Sequence, residues 1–341
     1  MSQSTTFMSE VEETSTSKDK AGSRLLRFVL ALLLTLAALI PLAISISKEW
    51  ESVQLTFMQI EWSEYLLAQA ILLPIMFVLS IVPWVSLNSL HVYFSIGSAS
   101  ASYFVSQIAK YLPGGIWAIP GRMVIYELQG VQRASSVVSV LRETTAFYTG
   151  AAIVAVIGLL LGTPFSDEIR VLLALGLLVS IMIIVLTHTP WVWAFLDKLR
   201  VPQGSQVKSY RSLENEQLKL NWLPRALVVS IAFWTLLGVP FQMLIEAVSG
   251  VSSAISWFEA AAIFAAAWCV GFVVILVPAG LGVRESALTF MLAESLPMSD
   301  AINIALLARV WWVIAEGFWI VLGLLWFMRK KDLLQRIIKS Q

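Results

Sequence analysis

Charged residues inside apolar stretches are the residues of this chain best placed to do chemistry. Arg142 and Glu143 stand early in one long apolar run, while Arg309 and Glu316 stand seven residues apart in another. A charge at the centre of a bilayer costs about 2.5–3.5 kcal/mol on insertion scales, so such residues usually face a protein interior or a cavity. The alternative for Arg142 and Arg309 is that they snorkel to the membrane surface and pair locally. A position at the membrane surface is harder to assign to Glu316, because apolar sequence continues on both sides of it.

Two short sequences interrupt the apolar pattern with proline and glycine, namely Pro113-Gly114-Gly115 and Pro278-Ala279-Gly280. Proline removes a backbone donor and glycine adds backbone freedom, so both break helices. In lipid, an irregular backbone survives only where it is buried in protein or lines a wet cavity. Interrupted segments in corresponding positions of two halves indicate the binding site of a transporter. A kink or a tight turn between ordinary helices is the alternative for either sequence alone.

Lys110, Arg122 and Arg284 are the cations nearest to these two breaks, and Glu285 follows Arg284 directly. A helix that restarts after a break offers free N–H groups and the positive end of its dipole. With a cation alongside, such a site suits a phosphate or a carboxylate, and lipid headgroups are the local source. Positive-inside topology equally accounts for Lys110 and Arg122 if they lie near the inner surface, but it accounts less well for Arg284.

The composition excludes several classes of function. Of 341 residues, 58% are hydrophobic and only 13% are charged, with a mean hydropathy of +0.80. Soluble domains carry about 25% charged residues, so this is an integral membrane protein. A single cysteine, Cys269, excludes an intrachain disulfide and a cysteine metal cluster. His91 and His188 stand far apart, so we expect no metal site, no cofactor and no catalytic triad. The sequence contains no basic stripe of the kind that would indicate nucleic-acid binding.

The apolar pattern predicts an all-α polytopic membrane protein. About six runs are long enough to cross a hydrocarbon core of ~30 Å, near residues 25–46, 65–86, 137–162, 169–188, 224–246 and 301–328. Two further segments, about 97–120 and 257–296, carry the breaks and are predicted to be re-entrant or broken helices. We assign residues 1–22 to a disordered cytoplasmic tail, 23–330 to a transmembrane domain and 331–341 to a basic cytoplasmic tail.

Charges at the ends of these runs predict the topology, because Lys and Arg favour the cytoplasm. The N-terminal flank, the stretch 87–136 and the C-terminal tail are basic, whereas loop 47–64 is acidic. Two full spans already separate loop 195–225 from the C-terminal tail, so segment 257–296 must enter and leave on the outer side. By the same reasoning, segment 97–120 enters and leaves on the inner side. The chain is therefore predicted to contain an inverted repeat, with units at about 65–162 and 224–328.

The motifs around both breaks resemble one known family. Leu112-Pro113-Gly114-Gly115 is followed by Arg122 and by Leu141-Arg142-Glu143, and the run from Pro278 to Leu288 is followed by Ala308-Arg309. Together they resemble the transmembrane region of lysylphosphatidylglycerol synthases over about residues 25–328. Ala279 is a departure, since the family often has glycine there. In multiple-peptide-resistance members this region is the lipid flippase half, and a separate cytoplasmic domain makes the lipid.

The resemblance implies a lipid flippase of the bacterial inner membrane, with both termini cytoplasmic. The sequence to Gln341 contains no synthase domain, so we expect no synthase activity. The partners expected are membrane lipids and a lipid-modifying enzyme or glycosyltransferase. A membrane-embedded enzyme, an accessory subunit of a lipid or polyprenyl-phosphate glycosyltransferase pathway, and an ion-coupled solute transporter are alternative functions. The predicted substrate-binding residues are Lys110, Pro113, Gly114, Gly115, Arg122, Arg142, Glu143, Pro278, Gly280, Arg284, Glu285, Arg309 and Glu316.

Overall fold

The computed structural model describes residues 47–111, 117–162, 222–250, 255–273 and 282–329, together with a few isolated positions between 44 and 178. Every regular element within these ranges is helical. The helices are α1 (Trp50–Met58), α2 (Trp62–Val78), α3 (Ile81–Ser89), α4 (Ile96–Ser106), α5 (Ala118–Leu128), α6 (Arg133–Leu160), α7 (Trp222–Ser249), α8 (Trp257–Val273), α9 (Val283–Leu292) and α10 (Met298–Arg329).

Four helical segments in the described part of the chain are long and apolar enough to cross a membrane, namely Trp62–Ser89, Arg133–Leu160, Trp222–Ser249 and Met298–Arg329. They correspond to four of the predicted spans, so the fold is that of an all-α polytopic membrane protein. Predicted spans 25–46 and 169–188 lie largely outside the described residues, as do the two terminal tails.

The first of these segments is interrupted, which the hydropathy pattern does not indicate. A turn at Leu79 and Ser80 separates α2 from α3. Pro83 has no N–H to donate to the carbonyl of Leu79, which instead accepts a weaker bond from the N–H of Val82 at 3.3 Å. The helix is interrupted at this point because proline removes one rung of the helical hydrogen-bond ladder.

The two broken elements are helical pairs. Helix α4 continues through a 3-10 turn, Gln107–Tyr111, and α5 returns alongside it. Gln129 donates to Ser102 at 2.6 Å and Arg122 donates to Ser106 at 3.0 Å, so the two arms run antiparallel. In the second element, a Cβ at Gly271 near the end of α8 would touch the Cβ of Arg284 in α9, at 3.4 Å. The breaks between the arms, 112–116 and 274–281, lie outside the described residues.

Helices α2 and α7, which begin the two units, run in opposite directions. The N–H of Glu61, just before α2, donates to the carbonyl of Ala247 near the end of α7, at 2.9 Å. At the other end, Val82 of α3 lies in one apolar cluster with Trp222 at the start of α7. This opposite direction agrees with the orientation predicted from the charges.

The broken elements are exchanged between the units, so that each packs on the last helix of the other. In unit one, Phe104 of α4 stacks on Trp319 of α10 with ring centroids 5.4 Å apart. In unit two, Trp268 of α8 meets Phe147 of α6 edge to face at 5.7 Å. Each last helix therefore packs against the first arm of the broken element of the opposite unit.

Candidate functional site

The tip of the first broken element contacts α10 of the opposite unit. Lys110 and Tyr111, the last described residues before the break, both donate to the Glu316 carboxylate, at 2.5 Å and 2.8 Å. The side chain of Lys110 is 13% exposed and that of Glu316 is 4% exposed. The buried carboxylate thus compensates the charge of Lys110, as a charge inside a membrane domain requires.

Glu285, in the first turn of α9, connects three groups beside the second break. Its carboxylate accepts the N–H of Gly282 at 2.8 Å, so it satisfies one of the free donors at the start of the helix. It also accepts from Arg309 of α10 at 3.3 Å and lies 3.6 Å from the Arg284 guanidinium. One carboxylate is therefore shared by two arginines.

Arg284 is held mainly by aromatic rings. Its guanidinium carbon lies 4.7 Å from the ring centre of Trp268 and 6.0 Å from that of Trp312. Cations interact favourably with indole faces at these separations. Arg284 is only 6% exposed, and its guanidinium makes no hydrogen bond to another described residue. It therefore presents unused N–H donors inside the protein.

These groups form one site, which we call the shared cluster: Lys110, Tyr111, Arg284, Glu285, Arg309 and Glu316. The charges of Arg284 and Arg309 act on Lys110, and those of Arg309 and Glu316 act on Arg284. Along α10, Arg309 and Glu316 both lie within about two turns of the middle of the helix. The residues flanking both breaks thus meet near the middle of the bundle, with a surplus of positive charge.

A second buried group of charges lies within unit one, and we call it the closed cluster. Arg122 of α5 donates to Glu143 of α6 at 2.8 Å and its guanidinium carbon lies 4.2 Å from the ring centre of Tyr103. Glu143 also accepts from Tyr126 at 2.9 Å and from Ser139 at 2.7 Å. Each charge of the pair thus has hydrogen-bonded partners within the unit, which is what a stable buried ion pair needs.

Arg142 belongs to neither cluster. Its guanidinium donates to Ser89 at the end of α3, at 2.8 Å, and lies 4.8 Å from the ring centre of Trp222. Arg142 is 5% exposed, so its side chain is enclosed by protein. Its contacts tie the end of α3 and the start of α7 to α6.

The structure divides the predicted site residues into separate places. It brings Lys110, Arg284, Glu285, Arg309 and Glu316 together, and it places Arg122 with Glu143 in the closed cluster. Arg122 is only 6% exposed, so its charge is not that of a cation on the protein surface. The backbone positions Pro113, Gly114, Gly115, Pro278 and Gly280 lie outside the described residues.

The sequence prediction missed several residues that complete the two clusters. Tyr126 lies four residues after Arg122, and Ser139 lies four residues before Glu143, so helical spacing could have identified both. Trp268 and Trp312 are brought to Arg284 by packing of separate helices, and no local spacing indicates that contact.

Comparisons of the chain with protein-family models and with curated proteins found no match. The resemblance to the transmembrane region of lysylphosphatidylglycerol synthases therefore stays a hypothesis based on the two motifs.

Proposed function

We propose that this protein moves an anionic phospholipid or an anionic lipid-linked intermediate between the leaflets of a bacterial inner membrane, and that the shared cluster binds its headgroup. Both termini face the cytoplasm in this proposal, as the positive charges at the span ends predict. The acyl or prenyl chains remain in lipid while the headgroup crosses through the protein.

The observation that carries this proposal is that, among the described residues, Arg284 and Arg309 both lie beside one carboxylate, Glu285. A buried charge that lacks its own counter-ion is costly, and a ligand that supplies a negative charge offsets that cost. Arginine binds phosphate oxygens through two parallel hydrogen bonds. The stacked Arg284, whose N–H groups are unused, suits this contact.

The proposed mechanism uses the two broken elements as gates around this site. When the phosphate approaches Lys110, it competes with Glu316 for the ammonium group and loosens the contact between the tip of the first element and α10. Short broken helices that meet near the midplane of inverted units support alternating access in other transporters. Glu285 is engaged by Arg309 and by the N–H of Gly282, so it acts as a structural acceptor and not as a catalytic base.

A leaflet-resolved lipid assay tests this proposal. The full-length protein is reconstituted into liposomes with fluorescent phosphatidylglycerol, and exchange between leaflets is followed with a membrane-impermeant quencher. Replacing Arg284 and Arg309 together by glutamine should slow exchange by at least about tenfold, since a hydrogen bond to a charged group contributes ~1.5–3 kcal/mol. Arg284→Gln alone is the second variant if the double variant does not fold.

The matched control is Arg133→Gln, which removes an arginine whose side chain is 57% exposed and which pairs with Glu127 at 3.9 Å. Exchange should be unchanged in this variant. An unchanged rate in the Arg284 and Arg309 variants would overturn the site assignment. A new lipid product, detected by mass spectrometry of the liposomes, would indicate that the protein is an enzyme and not a lipid translocator.

A further inference from the structure

The charges of the shared cluster do not balance. Three cationic side chains, Lys110, Arg284 and Arg309, face two carboxylates, Glu285 and Glu316. The neighbouring closed cluster contributes no net charge, because Arg122 and Glu143 pair with each other. In the sequence, the segments that follow Tyr111 and precede Gly282, residues 112–116 and 274–281, contain no ionisable residue. Among the described residues, the site therefore carries a formal charge of +1.

We infer that the occupant of this site is a lipid with a singly charged phosphodiester headgroup, and that headgroups with two negative charges or with none are disfavoured. This inference rests on the proposal that the shared cluster binds a lipid headgroup. A phosphodiester carries one negative charge and neutralises the site. A phosphomonoester carries about −1.5 to −2 at neutral pH and leaves an excess of negative charge. A zwitterionic headgroup leaves the surplus positive charge uncompensated.

Because the site is buried, its net charge strongly affects which headgroup binds. Arg284 and Glu285 are 6% and 5% exposed, and Glu316 is 3% exposed, so water screens these charges weakly. Interactions between charges at short range are several-fold stronger in such surroundings than in bulk water. The same excess charge would matter little at an exposed site.

The groups around Arg284 also favour an oxyanion over an amine. The indole N–H groups of Trp268 and Trp312, whose rings flank the guanidinium, are buried and have no hydrogen-bond partner among the described residues. Tryptophan can only donate, and arginine can only donate. The side of the cluster around Arg284 thus offers donors, whereas the carboxylates Glu285 and Glu316 are already engaged by Arg309, Lys110 and Tyr111.

Native mass spectrometry of the full-length protein in detergent measures the charge preference directly. The probes are phosphatidylglycerol, phosphatidic acid and phosphatidylcholine with identical acyl chains, at about pH 8, where a phosphomonoester carries close to two charges. Phosphatidylglycerol should bind at least about tenfold more tightly than the other two lipids. Water-soluble glycerophosphoglycerol should fail to compete with phosphatidylglycerol, because the lipid chains contribute to binding.

Two substitutions change the charge of the site without removing a cation. Glu316→Gln and Glu285→Gln each raise the formal charge to +2 and should shift the preference toward phosphatidic acid by about tenfold. Because preference is a ratio measured within one variant, partial loss of folded protein does not alter it. Glu127→Gln is the matched control, since that carboxylate is 36% exposed and belongs to a surface pair; its preference should equal that of the unaltered protein.

Tighter binding of phosphatidic acid or phosphatidylcholine by the unaltered protein would overturn this inference, as would an unchanged preference in both glutamate variants. Equal binding of glycerophosphoglycerol would overturn the assignment to a lipid. These results are distinguishable from failure of the proposed function. Arg284-dependent exchange of a doubly charged lipid would support translocation and overturn the preference for a singly charged headgroup. Selective binding of phosphatidylglycerol without exchange would support that preference and overturn translocation.

Discussion

At the scale of single residues, the two units use the same kind of contact with the charges reversed. In unit one, Arg122 of α5 pairs with Glu143 of α6. In unit two, Glu285 of α9 pairs with Arg309 of α10. Both pairs tie the second arm of a broken element to the long helix that follows it. Unit two adds Arg284 beside its pair, and this additional cation distinguishes the proposed binding site from the ion pair of unit one.

We predict that the pair Arg122 and Glu143 stabilises the fold and does not bind substrate. Arg122→Met leaves the Glu143 carboxylate buried without its counter-ion and should lower the free energy of unfolding by ~3–5 kcal/mol. Replacing both residues by methionine removes both charges and should recover most of that loss. The measurement is the midpoint of thermal unfolding of the purified protein in detergent.

The surface pair of Arg133 and Glu127, at 3.9 Å, serves as the comparison. Arg133→Met should change the free energy of unfolding by less than ~1 kcal/mol, since exposed pairs contribute little. If Arg122→Met proves equally mild, or if the double variant is no more stable than the single one, Arg122 and Glu143 do not act as a buried ion pair.

Sequence alone could identify the charged residues of both clusters but not their grouping. A charge in an apolar run is conspicuous, so Arg122, Glu143, Arg309 and Glu316 were all predictable. Arg122 and Glu143 pair within unit one, whereas Glu316 pairs with Lys110 only because helices of different units pack together. Nothing in the local sequence indicates that Lys110 reaches Glu316, which lies 206 residues later.

At the scale of elements, the first broken element is fixed along α10 by small residues. A Cβ at Gly323 would lie 3.0 Å from a methyl of Val105 and 3.2 Å from the backbone of Ala101. At Gly97 a Cβ would lie 2.7 Å from the ring of Trp326. Small residues allow this close approach of helices in membranes. The arm α4 is therefore seated on α10, and its tip reaches the level of Glu316.

We predict that Gly323→Val separates α4 from α10. The added side chain meets backbone, which cannot turn away, and overpacking of this kind costs ~1–3 kcal/mol. The matched control is Gly317→Val in the same helix, since a Cβ there meets nothing within 4 Å; it should shift stability by less than ~1 kcal/mol. Thermal unfolding in detergent measures both, and equal effects would show that this contact is not tight.

We also predict that the tip of the first element requires opposite charges at residues 110 and 316. Lys110→Glu places two carboxylates together and Glu316→Lys places two ammonium groups together, so each reversal should lower lipid exchange by at least about tenfold. Combining the two reversals restores an ion pair and should recover a substantial part of the activity. Exchange that stays equally low in the combined variant would indicate that Lys110 acts on the lipid and not through Glu316.

The long helices were predictable because continuous apolar sequence of sufficient length is a strong signal in membranes. The interruption at Leu79 and Ser80 was missed because hydropathy does not register the hydrogen bond that Pro83 removes. Both broken elements were predictable from proline and glycine, yet the long-range packing of α4 on α10 depends on Gly97 and Gly323, whose role becomes visible only when their partners are known.

At the scale of the whole molecule, the distribution of charges and the packing of the helices point to the same arrangement. The stretch 87–136, which contains the first broken element, has more basic than acidic residues, and acidic residues dominate loop 47–64. Independently, the contact of Glu61 with Ala247 places the start of α2 beside the end of α7. An inverted pair of units explains both observations, and the described residues next to the two breaks meet in one shared cluster.

This arrangement predicts the sidedness of four exposed positions, two around each broken element. Tyr93 and Gln132 flank the first element, and Ser256 and Ser295 flank the second. Each is replaced singly by cysteine in a Cys269→Ser background, which removes the protein's only cysteine. A membrane-impermeant maleimide should label Ser256→Cys and Ser295→Cys in intact cells, and Tyr93→Cys and Gln132→Cys only after the membrane is permeabilised.

The two positions of each pair must agree, because an element that enters and leaves on one side keeps both of its ends on that side. If either element crossed the membrane completely, its two flanking positions would label under different conditions, and the inverted arrangement would be wrong. If all four positions labelled from the same side, the units would be parallel and the two breaks would approach from one leaflet only. The shared cluster would then open to a single side, and alternating access through it would lose its structural basis.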